Sequence, residues 1–377
     1  MRILFVDDEQ NILDGLRNVL RSKRREWDMT FLANPEEAVA RIHDSPFDMV
    51  ISDMRMPRMD GAALLAKVKE IQPHAIRMIL SGQTELESVM RSVFVAHMFL
   101  AKPCDPASLL GVIERAFRLD ELLNSDDLKA AAGRVDVLPG VPEVYMRLNR
   151  VLANPDCSVR EVAKVIESDV GLCAKILQLV NSAFFGLRRR VSTMDEAITY
   201  LGMLAIKNLA LALQTFREAS ESSEMSAAKI AALRDHSLLT GRIAQSIFAN
   251  DRRRADEAFI AGMLHEVGWL IRAPARSNSG VPAVERPLLG AYLLGLWGLP
   301  RPIVEAVAFQ STPESVEHTE FDLVDAVWVA DHLATEIRGA EAPPLRAEYL
   351  VRLGVDEARL AAWKASASEL GQAARDT

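Results

Sequence analysis

Long apolar runs are missing from this sequence. No stretch of about 18 residues is free enough of charge to span a bilayer, and Met1-Arg2 leads into a short strand-like run, not a signal-peptide pattern. No membrane association is expected. Cysteine is also scarce. Cys104, Cys157 and Cys173 are odd in number and widely spaced, which argues against a disulfide or zinc framework and fits free thiols in the cytoplasm. Nor is positive charge in excess, since 44 Lys+Arg face 52 Asp+Glu for a net charge of −8. A general nucleic-acid binder with a basic face is therefore not expected. Arg188-Arg189-Arg190 and Arg252-Arg253-Arg254 stand out as short basic runs, and both read as solvated loops. No helix-turn-helix with a basic face is identifiable, so direct DNA binding is not expected.

What the sequence does have is apolar runs that end on chemistry. The 377 residues, 49% hydrophobic and 25% charged, suit two globular domains. In the first third, strand and helix patterns alternate. Strands are predicted at 2–6, 27–32, up to Asp53, up to Leu80 and at 97–101, each followed by a helical pattern. Asn34-Pro35 is a helix start, with an N-cap residue before proline. Five strands and five helices in alternation predict a doubly wound parallel sheet.

In such sheets ligand sites form at the carboxyl ends of the strands. The first run ends on Asp7-Asp8, the third on Asp53, the fourth on Ser81, and the last on Lys102-Pro103. Three carboxylates, a hydroxyl and an ammonium thus meet at one edge. Clustered carboxylates repel unless a cation neutralises them, and hard oxygen donors of this kind suit Mg²⁺.

This set of residues resembles the receiver domain of two-component response regulators, a flavodoxin-like fold, over about residues 1–122. The resemblance implies that Asp53 accepts a phosphoryl group from a sensor histidine kinase or phosphotransfer protein. It also implies that Asp8, Asp53 and the backbone carbonyl of Arg55 hold Mg²⁺, with Asp7 acting through water. Lys102 would pair with the phosphoryl oxygens and Ser81 would bond one of them. Phe99 stands at the aromatic switch position, and Lys102-Pro103 is expected to be cis. The response would then spread over the helix near Thr84, the strand at 97 and the helix near Pro106, and this face allows a homodimer.

After Leu119 the pattern changes. Residues 123–134 read as a helical linker, and from Val135 only amphipathic helices follow. Ser158 with Glu161 forms a capping box, and a helical tail begins near 340. Asn181-Ser182-Ala183-Phe184-Phe185 and Tyr200-Leu201-Gly202 give about residues 135–338 a resemblance to the HDOD domain, an all-α relative of the HD phosphohydrolases, and with the tail the domain runs over 135–377. HD enzymes hold metal with a histidine, a histidine-aspartate pair and a later aspartate. The matching positions are His236, His265-Glu266 and Asp331. Glutamate replaces one aspartate, Trp269 stands where active cyclic-dinucleotide phosphodiesterases have lysine, and Phe309-Gln310 stands where a histidine pair would be. No metal is expected in this second domain, which is read as a non-catalytic output surface for an unidentified protein, by resemblance in cyclic-dinucleotide or motility signalling. The alternative is a metal-dependent HD-type phosphohydrolase using those four residues.

Overall fold

A computed structural model of the chain describes residues 1–82, 92, 94–104, 106–120, 123, 125–135, 142–152, 154, 157–182, 190–203, 206, 226–271 and 285–375. The apolar runs become β1 (Arg2–Val6), β2 (Asp28–Leu32), β3 (Met49–Asp53), β4 (Ile76–Gly82) and β5 (Met98–Lys102). They form one parallel sheet in the order β2-β1-β3-β4-β5. The inner strands are buried nearly throughout because helices cover both faces, which is why they read as unbroken apolar runs. These helices are α1 (Gln10–Val19), α2 (Pro35–Asp44), α3 (Gly61–Ile71) and α4 (Pro106–Asp120). The Asn34 side chain caps α2 by accepting from Glu36 N at 2.9 Å, and Asp60 caps α3 through Ala63 N at 2.7 Å. The helix expected through Val89, Met90 and Val93, and Thr84 with it, lies outside the described residues.

The linker folds as a helix of its own. Ser125 caps α5 (Asp126–Gly133), and Gly133 closes it so tightly against the sheet domain that a Cβ there would lie 1.8 Å from Pro73 O. The rest of the described chain is helical. It comprises α6 (Pro142–Leu152), α7 (Val159–Ile166), α8 (Val170–Val180), α9 (Met194–Leu201), α10 (Ala227–Ile247), α11 (Arg252–Leu264), α12 (Arg286–Leu296), α13 (Arg301–Ala308), α14 (Leu323–Ile337), α15 (Ala347–Arg352) and α16 (Glu357–Arg375). The Ser158–Glu161 capping box forms as predicted. One basic run was misjudged: Arg252, Arg253 and Arg254 are the first turn of α11, not a loop, with Arg253 bound to Glu257 and Arg254 to Asp322. Asp251 caps that turn through Arg254 N at 3.1 Å, and i,i+4 pairing supports it. Arg188 and Arg189 lie outside the described residues, as do Ala183, Phe184 and Phe185 of the block that suggested the second domain's kinship.

The two units share packed surfaces. α12 lies against both α4 and α5. Arg77, at the start of β4 and fully buried, donates to Val95 O (2.6 Å), Ala75 O (3.2 Å) and Gly133 O (2.5 Å). Its guanidinium also lies 2.8 Å from the ring of His97. From the other side, Gln178 of α8 donates to the carbonyls of Ala96 and His97, each at 3.2 Å. Next to it the buried ammonium of Lys175 lies 4.3 Å from the Trp297 ring centre. The start of β5 is thus bonded directly to the helical domain.

The tail caps that domain. Trp363 packs on Phe321 with ring centres 5.1 Å apart. Tyr349 donates to the buried Asp325 at 2.6 Å, whose other oxygen meets His318 at 2.8 Å. Among the described residues no helix is long and apolar enough to cross a membrane. Tyr349→Phe removes one hydrogen bond to a buried carboxylate while keeping the ring. It should destabilise the protein by about 1.5–3 kcal/mol, read by denaturant titration. An unchanged midpoint would show that the Tyr349 hydroxyl does not help to hold the tail.

Candidate functional site

Each strand of the parallel sheet ends at the same edge, so register decides which side chains meet. Asp53 pairs with Leu80, Ser81 with Ala101, and Gly82 with Lys102. Asp7 follows directly on β1. The Lys102 ammonium hydrogen-bonds Asp7 Oδ2 at 2.6 Å and also Asp53 Oδ1. Asp7 and Asp53 are both buried, Ser81 is fully buried one residue past Leu80 on β4, and Asp8 is exposed. The main chain fixes each carboxylate further: Glu9 N donates to Asp7 Oδ1 at 3.0 Å and Arg55 N to Asp53 Oδ2 at 2.6 Å.

Electrostatics follow from this crowding. Burial pushes the Asp53 carboxyl above its usual range, the bond to Lys102 draws it back, and the Asp7 charge pushes it up again. For Lys102, burial acts to lower its value, but the bonds to Asp53 and Asp7 together outweigh it and hold the ammonium above its ordinary range. Three carboxylates against one ammonium leave an unbalanced negative charge. Their hard oxygens, with the Arg55 carbonyl nearby in sequence, are a donor set that fits Mg²⁺.

The loop after Asp53 is held by close approach. Gly61 N donates to Met54 O at 3.0 Å, and a Cβ on Gly61 would sit 2.1 Å from Asp53 O. Arg58 in the same loop has φ +69, a left-handed backbone that is costly for a side chain of that size. Phe99 is fully buried on β5. The Lys102-Pro103 bond is cis, as expected.

The second set of predicted residues also comes together. His236 lies on α10, His265 and Glu266 just beyond α11, and Asp331 on α14. Helices α10 and α11 cross at glycine, where a Cβ on Gly262 would be 2.8 Å from Gly241 Cα. This closeness lets the histidine rings sit 5.4 Å apart. Asp331 Oδ1 is 2.9 Å from His236 Nε2 and 3.4 Å from His265 Nε2. Glu266 reaches in despite its extra methylene, so that donor atoms of His236, His265 and Glu266 lie within 4.8 Å of one another. His265 Nδ1 bonds Gly262 O at 2.6 Å, leaving Nε2 buried with no hydrogen-bond partner. Burial acts to lower the His265 value, but Asp331 and Glu266 outweigh it and raise it. The same two imidazoles hold Asp331 well below the usual carboxylate range against its own burial.

The positions that depart from the HD pattern are occupied by other work. Gln310 donates to His265 O at 2.8 Å and to Val307 O at 3.2 Å. Trp269 is 40% exposed, with the Arg286 guanidinium 5.2 Å from its ring centre. The interdomain residues Arg77, Lys175 and Gln178 were not singled out from sequence. An arginine inside an apolar β4 run was the available signal.

Comparison with known proteins agrees with both halves. Residues 3–114 match the response regulator receiver domain and residues 138–286 match the HDOD domain. An uncharacterized protein of Treponema pallidum is 24% identical over 200 residues, which covers 47% of this chain and 38% of that protein. The hydrogenase transcriptional regulatory protein HoxA of Bradyrhizobium diazoefficiens is 27% identical over 43% of this chain and 35% of its own length. The chain thus spans little more than a third of these relatives. Among solved structures, the MmoQ response regulator of Methylococcus capsulatus is 24% identical, covering 61% of this chain and 98% of that one, with a TM-score of 0.48.

Gly61→Ala should force the start of α3 away from Asp53 and destabilise the sheet domain by about 1–3 kcal/mol. Urea unfolding of the full chain measures this, and an unshifted transition would mean that the α3 start moves freely.

Proposed function

We propose that this chain, which carries a response regulator receiver domain followed by an HDOD domain, is a phosphorylation-controlled cytoplasmic regulator in which Asp53 is the phosphoacceptor and the HDOD domain a non-catalytic, protein-binding output. The observation that carries this reading is Lys102 hydrogen-bonded to both buried carboxylates, Asp7 and Asp53, with Ser81 buried near the end of the neighbouring strand. Asp8, Asp53 and the Arg55 carbonyl would hold Mg²⁺, with Asp7 in support, and the ion would supply the charge neutralisation that phosphoryl transfer requires.

The side chains do the rest. One Asp53 oxygen attacks phosphorus as the bond to the donor, a sensor histidine kinase or phosphotransfer protein, breaks in line. Lys102 then exchanges its bond to Asp53 for one to a phosphoryl oxygen. Ser81, one strand over, donates its hydroxyl to another. The arriving group carries about two negative charges, so these donors are drawn toward it. Phe99 is already inside the core, so its response is a repacking between β4 and β5, not an entry from solvent. Along β5 that displacement reaches His97, whose carbonyl is bonded to Gln178 of the helical domain.

A second reading, metal-dependent phosphohydrolysis, is favoured by the convergence of His236, His265, Glu266 and Asp331. It is placed behind the first because two-metal hydrolysis clamps attacking and leaving oxygens with ions about 3.5–4 Å apart. Gln310 and Trp269 occupy positions where the second set of ligands and a lysine would be needed.

Phosphoryl uptake from acetyl phosphate should require Mg²⁺ and be abolished in Asp53→Asn, which keeps the shape but removes the nucleophile. Labelling of the variant at the parent's level would overturn the role of Asp53. Lys102→Ala should retain Mg²⁺ binding and lose the response, because the three acids remain. Cyclic dinucleotides and nucleotide phosphates should not turn over with Mn²⁺, Fe²⁺ or Zn²⁺, whether or not the protein is phosphorylated. Turnover that disappears in His265→Ala would promote the second reading.

A further inference from the structure

Lys23-Arg24-Arg25 is a further short basic run. Arg17, Arg21 and Arg24 recur at intervals of four and three residues, along one face of α1 and the 3₁₀ turn that continues it (Leu20–Lys23). With Arg25, Trp27, Met29 and Phe31 they line a groove of about 790 Å³. Like charges at this spacing disfavour a helix, so the row is not there for helix stability. Glu26 and Asp28 line the groove as well, each beside a cation, Glu26 with Lys23 at 3.0 Å and Asp28 with Arg2 at 3.7 Å, while Asp14 pairs with Arg17 at 2.7 Å. Arg21, Arg24 and Arg25 are exposed, and no carboxylate among the described residues forms an ion pair with them.

The opposite wall is β2, an edge strand. Asp28 N donates to Met1 O at 2.7 Å and Asp7 N donates to Leu32 O at 3.2 Å. Asp28, Thr30 and Leu32 therefore turn their main-chain groups toward β1. The alternate residues, Met29 and Phe31, turn theirs outward, and both line the groove. Such an edge is a template for an added strand.

We propose that this groove binds an extended acidic segment of a partner protein, which pairs with Met29 and Phe31 of β2 while its carboxylates meet Arg21, Arg24 and Arg25. Charge complementarity selects an anionic partner, since the chain as a whole carries −8 and this patch is locally positive. The edge selects a polypeptide. Outward carbonyls accept from peptide N–H groups but repel the phosphate oxygens of a nucleic acid. The groove begins at the end of the sheet opposite Asp53, so it stays open whatever the phosphoryl state, and its occupancy is independent of the proposed phosphotransfer.

Fluorescence anisotropy tests this with the full chain and a fluorescein-labelled peptide of alternating glutamate and valine. Saturable binding is expected at low salt, weakening as salt approaches about 0.3 M. R21E/R24E/R25E should lower affinity by about tenfold or more while phosphoryl uptake at Asp53 stays intact. A peptide N-methylated at alternate residues, on the side that would pair with β2, should also bind about tenfold more weakly, because it lacks those strand donors. Equal binding of the methylated peptide, tighter binding of single-stranded oligothymidylate, indifference to the triple substitution, or no binding of the acidic peptide would each overturn the proposal.

Discussion

Two ionised carboxylates are not held side by side in a protein interior without a cation to offset their charge. Asp7 and Asp53 are brought together because β1 and β3 are neighbours in the sheet. The cation comes from two strands farther over, at the end of β5. Lys102 reaches both acids only if β4 and β5 hold their register and end level with β3. Much of the sheet domain follows from that requirement. The strands are apolar on both faces because helices must fix them rigidly, and Gly61 is bare because α3 must start against the Asp53 carbonyl. A one-residue slip of β5 would turn Lys102 to the other face and leave the carboxylates to repel each other.

The helical domain meets a similar electrostatic demand without a lysine. Asp331 lies against two imidazoles, 2.9 Å from His236 Nε2 and 3.4 Å from the Nε2 of the fully buried His265. That arrangement needs α10, α11 and α14 to converge, and the glycine crossing of α10 with α11 permits it. The polar cluster therefore fixes helix packing whatever else it does. Gln310 reinforces this by anchoring the His265 carbonyl, a structural use of a position where an enzyme of this type needs a ligand.

Much of this was legible in the sequence, for physical reasons that differ by region. In the first domain, continuous apolar runs ending on Asp7, Asp53, Ser81 and Lys102 encode both fold and site, because strand ends and site coincide. The caps at Asn34 and Ser158 were equally plain, since capping is a local interaction. In the second domain His236 and Asp331 were found through resemblance, because amphipathic periodicity alone does not say which helix faces meet. Contacts between distant segments escaped altogether. Nothing local to Arg77 names Gly133 as its acceptor, and nothing near Gln178 names Ala96. Arg252–Arg254 was misplaced although its helix signals are local: Asp251 caps the turn through Arg254 N, and Asp256 and Glu257 stand one turn on, on the same face.

The joint between the domains has a further property. His97 is fully enclosed, and burial first, then the charges of Arg77, Lys175 and Lys69, hold its ring neutral, well below its ordinary value. An imidazole in water titrates near 6.5. Any motion that parts β5 from α8 and wets this ring lets it take up a proton once the medium is more acidic than that. The closed arrangement binds no proton there, so it keeps its full advantage above about pH 6.5 and loses ground as the pH falls below it. Domain separation and proton uptake at His97 are thus thermodynamically linked, and each favours the other.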